Sequence, residues 1–218
     1  MPEEQSVEIH LDGVTLPGTL GVPPGARGIA IFSHGSGSSR LSPRNTYVAE
    51  VLRDGGIGTL LFDLLTPEED LIYENRFDID RLTARLVQVT HWLIGQLPEL
   101  SLGYFGASTG SASALRAAAE LGPVIRAVVS RGGRPDLAME ALSRVQAATL
   151  LIVGGNDDVV LELNREAFIH LTAAKRLEVI PGATHLFEEP GALEAVARLA
   201  TEWFRQYLGA PEQREEAA

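Results

Sequence analysis

Apolar and polar positions follow two rhythms along this chain. Gly28 to Phe32, Gly58 to Phe62, Ser101 to Phe105, Ile125 to Val129 and Thr149 to Val153 are short apolar runs bounded by turn residues. Each predicts a strand buried on both faces. Arg176 to Ile180 predicts another, and Val7 to Leu11 with Thr15 to Leu20 a hairpin about Asp12-Gly13. Between them, apolar residues at helical spacing predict helices over Asp78 to Gln96, Ser108 to Glu120, Leu161 to Leu171 and Ala192 to Leu208. Ser42-Pro43 opens a further helix, with serine as cap and proline at its first position, closed by Asp54-Gly-Gly56. Asp136 to Val145 reads as a short helix and Leu64 to Phe77 as a long polar loop.

Strands alternating with helices specify an α/β fold, a three-layer sandwich with a mostly parallel central sheet. One domain over residues 1–208 accounts for the whole pattern, followed by an acidic, flexible tail over 209–218. Between the strands at Ile125 to Val129 and Thr149 to Val153 there is room for one short helix and for no large cap. Such sheets carry their sites in loops beyond the strand C-termini. His34, Asp63, Ser108, Arg131, Asp157 and His185 all fall in such loops.

Within that pattern, Gly106-Ala-Ser108-Thr-Gly110 stands between a strand and an alanine-rich helix. Serine at the tip of so sharp a turn adopts a strained backbone, and side chains in place of the glycines would strike the neighbouring strand and helix. The turn lifts the Ser108 hydroxyl above the sheet and aims the Thr109 amide at the same space. A serine hydroxyl becomes a nucleophile only beside a base, and the base needs an acid to fix its tautomer. Of five histidines, His10 lies in the hairpin and His91 and His170 in helices. His185, just beyond the last strand, is placed to be the base. Asp157 and Asp158 both follow Gly154-Gly-Asn156, and their spacing leaves the acid open between them.

His34-Gly35-Ser36-Gly37 is a second glycine-rich turn after an apolar strand. It is placed to supply an amide, that of Ser36 foremost, opposite the Thr109 amide in an oxyanion hole. It has neither the lysine of a phosphate-binding loop nor the glycine spacing of a dinucleotide fingerprint. His34 reads as the residue that holds this loop, with a substrate contact as its other role. Arg40, Arg44, Arg131 and Arg134 stand near the same rim. Their guanidinium groups either pair with Asp63, Asp136 or Asp158 or, as bidentate donors, hold an anionic group of a substrate. His34, Asp63, Asp157 and His185 could be drawn together as metal ligands, but no local spacing supports a metal, and no cofactor is expected.

Composition narrows the chemistry further. The 218 residues are 45% hydrophobic, enough for one sizeable core. Twenty-nine acidic against 18 basic residues give a net charge of -11, which opposes binding to nucleic acid or an anionic membrane. The absence of cysteine excludes disulfides, thiolate catalysis and cysteine-ligated metals. The start, Met1-Pro-Glu-Glu-Gln, lacks the basic and apolar regions of a signal peptide, so the expected location is cytoplasmic. Monomer and homodimer both remain open.

Gly106-x-Ser108-x-Gly110, Gly154-x-x-Asp157-x-x-Val160 and Gly182-Ala-Thr-His185 resemble the three motifs of the α/β-hydrolase superfamily, over almost the whole chain. The cap-free layout is similar to the dienelactone hydrolase-like branch. Phe32-Ser-His-Gly-Ser-Gly-Ser-Ser-Arg40 and Ser130-Arg-Gly-Gly-Arg-Pro-Asp136 resemble a bacterial subgroup whose members also occur joined to phosphoribosyltransferase domains. The resemblance implies Ser108 as nucleophile, Asp157 as orienting acid, His185 as base, and the Ser36 and Thr109 amides as oxyanion hole. It implies a serine hydrolase for small or short-acyl carboxylic esters, with His34, Arg40 and Arg131 on the substrate rim. Lactones and thioesters are the alternatives, and a non-catalytic partner of a phosphoribosyltransferase is the alternative of another class. Dienelactone hydrolase itself uses cysteine where this chain has serine, so the likeness speaks for fold and mechanism more than for a lactone.

Overall fold

The computed structural model describes residues 4–209. The expected tail lies, past Gly209, outside the described residues. Eight strands form one sheet: β1 (Glu4–Leu11), β2 (Val14–Gly21), β3 (Gly28–Ser33), β4 (Gly58–Phe62), β5 (Ser101–Ala107), β6 (Ile125–Arg131), β7 (Ala148–Gly154) and β8 (Lys175–Ile180). Their spatial order is β1-β2-β4-β3-β5-β6-β7-β8. Only the hairpin strands run antiparallel, β1 to β2 and β2 to β4, and every other pairing is parallel. The chain steps from β3 to β4 on one side and returns to β5 on the other. Loops leaving the C-terminal ends of β3 and β5 therefore diverge, and a crevice opens between them.

Helices α1 (Pro43–Asp54) and α6 (Ala192–Leu208) cover one face, while α3 (Ile79–Gln96), α4 (Thr109–Leu121) and α5 (Asp158–His170) cover the other. A strand's side chains alternate between faces, so a strand covered on both must be apolar at every position. In β3, Ile29 and Ile31 pack towards α3 and α4, and Ala30 and Phe32 towards α1 and α6. Tyr104 and Phe105 of β5 divide the same way. All six are at most 2% exposed, and truncating such a phenylalanine costs about 3–5 kcal/mol.

One segment differs from the sequence expectation. Leu64 to Phe77 is ordered: Thr66 and Glu69 form a capping box at the start of α2 (Pro67–Asp70), followed by a 3-10 turn over Tyr73–Phe77. The Arg76 guanidinium ties this turn back to the carboxylate of Asp70. The short helix expected over Asp136 to Val145 forms over Pro135–Arg144, in 3-10 geometry. The Ser42 side chain makes no cap hydrogen bond, and Pro43 alone marks the start of α1.

Candidate active site

Ser108 occupies the turn between β5 and α4 with φ 50° and ψ -123°. Among the described residues, only Phe187 is another non-glycine with positive φ. Such conformations cost about 1–3 kcal/mol and persist where the surroundings fix them. Here the surroundings are explicit. The Ser108 amide donates to the Arg131 carbonyl at 3.2 Å, and the Ser108 carbonyl accepts from the amides of Ser111 and Arg134, each at 3.1 Å. A Cβ on Gly106 would stand 2.6 Å from Ser111 Cα, and one on Gly110 would overlap the Ser33 carbonyl oxygen. The two glycines are thus required by close approach of β5 and β3 to α4.

His185 lies on the loop after β8, and Asp157 on the loop between β7 and α5. Three hydrogen bonds knit these loops together. The Gly155 amide donates to Ile180 O at 2.8 Å, the Asn156 amide to Ala183 O at 2.9 Å, and Asn156 Nδ2 to Gly182 O at 3.0 Å. The result is a continuous polar chain. Asp157 Oδ2 lies 2.7 Å from His185 Nδ1, and His185 Nε2 lies 3.3 Å from Ser108 Oγ. Asp158 is the first residue of α5, and its carboxylate makes no hydrogen bond or ion pair among the described residues. An acidic residue there favours the helix N-terminus.

The loop after β3 faces Ser108. Gly35 lies against the nucleophile, for a Cβ there would be 3.1 Å from Ser108 Cβ. The Ser36 amide points across to α4 and donates to the Thr109 hydroxyl at 2.9 Å. The Thr109 amide, at the first position of α4, has no intrahelical partner. His34 pins this loop from behind: its Nδ1 is 2.9 Å from Gly35 O, and its Nε2 accepts the Leu64 amide at 3.1 Å. Burial pushes its pKa down, against the raising effects of the Gly35 carbonyl, Asp63 and Asp70.

The residues expected on the rim separate. His34 is only 9% exposed with both ring nitrogens engaged, so it faces the interior. Arg40 is on the rim, with its amide and guanidinium both held by Asp63. Arg134 pairs with Asp136, and Arg44 reaches Glu188 at 3.1 Å. Arg131 is not on the rim. Strand β6 runs two residues past its apolar segment and carries Arg131 inward to 8% exposure. There its guanidinium lies 6.0 Å from the Phe187 ring centroid and reaches Asn45 Oδ1 only at 3.5 Å. Burial, then the charge of Arg44, lower its pKa to about 10. Among the described residues, no cluster of three or more histidines and carboxylates could hold a metal ion.

A hollow of about 130 Å³ lined by His34, Ser38, Ser39, Asp63, Leu65 and Thr66 flanks the β3 loop. A wider hollow of about 500 Å³ runs along α1 past Tyr47 and Arg53, and neither Ser108, Asp157 nor His185 lines it. Sequence reasoning missed the Thr109 side chain and Phe187. Neither carries a sequence signal, since both matter through loop geometry alone. No helix among the described residues is long and apolar enough to cross a membrane.

No family model matches the chain. Two Mycobacterium tuberculosis proteins, from strains CDC 1551 / Oshkosh and ATCC 25618 / H37Rv, are 57% identical over 210 residues and bear a provisional phosphoribosyl transferase name. The match takes in 95% of this chain but 47% of theirs, so the chain spans about half the length of these curated relatives. A dienelactone hydrolase from Anabaena variabilis superimposes with a TM-score of 0.92 at 56% identity, covering 95% of this chain and 99% of that one. A lidless α/β serine hydrolase from Xanthomonas campestris gives a TM-score of 0.78 at 24% identity, over 96% and 97% of the two chains.

Proposed function

The chain belongs to the α/β-hydrolase superfamily, in its dienelactone hydrolase-like branch, and from that premise we propose that it is a serine hydrolase of small or short-acyl carboxylic esters. The observation that carries this reading is the hydrogen-bonded succession Ser108, His185, Asp157 on a strained strand-helix turn. Ser108 Oγ attacks the ester carbonyl while His185 Nε2 takes its proton, and Asp157 holds His185 in the tautomer that leaves Nε2 free to do so. The tetrahedral oxyanion forms at the N-terminal end of α4. The leaving alcohol takes the proton back from His185. Water, deprotonated by the same imidazole, then clears the acyl-enzyme and regenerates Ser108.

The hollow of about 130 Å³ beside the β3 loop supports small substrates. Lactones and thioesters present the same carbonyl chemistry and compete as substrates. The β3 loop contains no lysine to cradle a phosphate. We therefore assign any phosphoribosyl transfer by the mycobacterial relatives to the half of their length that this chain does not span. A role as a non-catalytic partner of such a transferase leaves the polar chain at Ser108 without a purpose.

The direct test is reaction with an organophosphonate ester, read by intact mass and peptide mapping. A single adduct on Ser108, absent in Ser108→Ala, is expected. Absence of any adduct on the wild-type protein overturns the reading. A p-nitrophenyl ester chain-length panel, extended to lactones and thioesters, then ranks the substrates.

A further inference from the structure

The amide expected to complete the oxyanion hole is already engaged. Ser36 N–H donates to Thr109 Oγ1 at 2.9 Å, across the gap between the β3 loop and the first residue of α4. That leaves the hydroxyl hydrogen of Thr109, which has no acceptor among the described residues. Thr109 is 4% exposed, so this hydrogen is shielded from bulk water. A buried donor without an acceptor is costly, and native structures keep few of them. The hydroxyl stands on the residue next to the nucleophile, and the loop that binds it packs Gly35 directly against Ser108. It also lies at a helix N-terminus, where negative charge is favoured.

Resting on the serine hydrolase reading above, we propose that the Thr109 hydroxyl is a catalytic residue, a side-chain donor to the oxyanion. The hole is then built from the Thr109 amide and the Thr109 hydroxyl, with the Ser36 amide behind the hydroxyl. By donating to Oγ1, Ser36 N–H draws electron density from the O–H bond and strengthens it as a donor. It also occupies a lone pair of the oxygen and leaves its hydrogen free to donate. The substrate's ground-state carbonyl makes little use of this donor, and the developing alkoxide makes full use of it. No proton is transferred from Thr109: the hydroxyl keeps its hydrogen throughout, and the oxyanion's electron pair re-forms the C=O bond as the bond to the leaving oxygen breaks and that oxygen takes the proton from His185.

The test compares Thr109→Val, which keeps the shape and removes the hydroxyl, with Thr109→Ser, which keeps it. With p-nitrophenyl acetate as the probe, Thr109→Val is expected to lose kcat by on the order of a hundred-fold, the usual effect of removing one oxyanion donor, with KM changed by less than about threefold. Affinity for a trifluoromethyl ketone, whose adduct carries the oxyanion, should fall in parallel with kcat, and Thr109→Ser should stay within about fivefold of wild type. A role confined to holding the β3 loop predicts something else: a lower Tm in Thr109→Val, with no parallel between kcat and ketone affinity. Wild-type kcat in Thr109→Val, or an increase from release of the Ser36 amide, overturns the proposal. If the wild-type protein is labelled by organophosphonate on Ser108 yet Thr109→Val turns over normally, the donor role alone fails. If the wild-type protein is not labelled, the hydrolase reading fails and takes the donor role with it.

Discussion

Asp157 Oδ2 lies 2.7 Å from His185 Nδ1, while the adjacent Asp158 is the first residue of α5 and its carboxylate meets no partner among the described residues. Two neighbouring carboxylates that spacing could not tell apart are separated by one backbone step at the end of β7. Asp157→Asn is therefore expected to lower kcat by roughly 10³–10⁴-fold, because an amide at this position favours the wrong imidazole tautomer. Asp158→Asn should leave kcat within about twofold and cost only about 0.3–1 kcal/mol of stability through the helix dipole. Steady-state kinetics and thermal melts of both variants check this. A larger kcat defect in Asp158→Asn transfers the role.

Ser108 is held at φ 50°, a conformation that glycine adopts without strain. Ser108→Ala should lose turnover by thousands-fold or more and melt close to wild type, because alanine inherits the strain. Ser108→Gly should be as inactive and more stable. Relief of about 1 kcal/mol corresponds to a Tm rise of roughly 2–4 °C in a domain of this size. Calorimetry of the two variants measures the difference. A Tm for Ser108→Gly below that of Ser108→Ala shows that the turn stores no strain at this residue.

Burial holds the His34 pKa below its ordinary value of 6.5, and the geometry explains what protonation breaks. Nε2 accepts the Leu64 amide only while the ring is neutral. The unfolded chain thus takes up the proton first as pH falls. The stability contributed by neutral His34 is complete above pH 6.5 and is lost as pH drops through the depressed native value. Wild-type Tm should decline over that window, and His34→Gln should show a lower Tm at pH 7.5 with a shallower decline below 6.5. Parallel curves for the two proteins remove His34 as the source of acid sensitivity.

Much of this architecture is legible in the pattern of apolar positions, because covering a sheet on both faces leaves no freedom in strands such as Gly58–Phe62. The nucleophile turn is legible for a related reason: Gly106 and Gly110 are demanded by atomic contact. Even the Thr66 to Glu69 capping box carries a recognisable signature, though the polar run around it reads as loop. What stays hidden are side chains whose direction depends on where a strand ends. Ser130 and Arg131 follow an apolar run and read as loop residues, yet pairing with β7 extends β6 through both. Two added strand positions turn a surface arginine into a buried one. The bond from Ser36 to Thr109 joins residues 73 apart, and no local pattern announces it.

Arg131 separates two roles that the sequence left together. A guanidinium on the rim could select substrates by charge, whereas the buried one lies over Phe187, two residues past His185, and its Nε and Nη1 meet no hydrogen-bond partner among the described residues. Its backbone carbonyl also accepts the Ser108 amide, so the residue touches the supports of both nucleophile and base. Substitution should then disturb the alignment of His185 with Ser108 whatever the substrate's charge. Arg131→Met is expected to lower kcat/KM by about tenfold, equally for a neutral short ester and for a matched carboxylate-bearing ester. Stability should move the other way. Folding costs the charged form, since burial and Arg44 bring the pKa down to about 10, and that cost is present at all pH values below this and relieved only above it. A neutral side chain of similar length escapes it, so the Tm of Arg131→Met at pH 7.5 should equal or exceed that of wild type. Matched kinetics on the two esters decide the functional half: a loss confined to the anionic ester returns Arg131 to substrate recognition. A clear drop in Tm shows instead that contacts with Phe187 and Asn45 outweigh the cost of burying the charge.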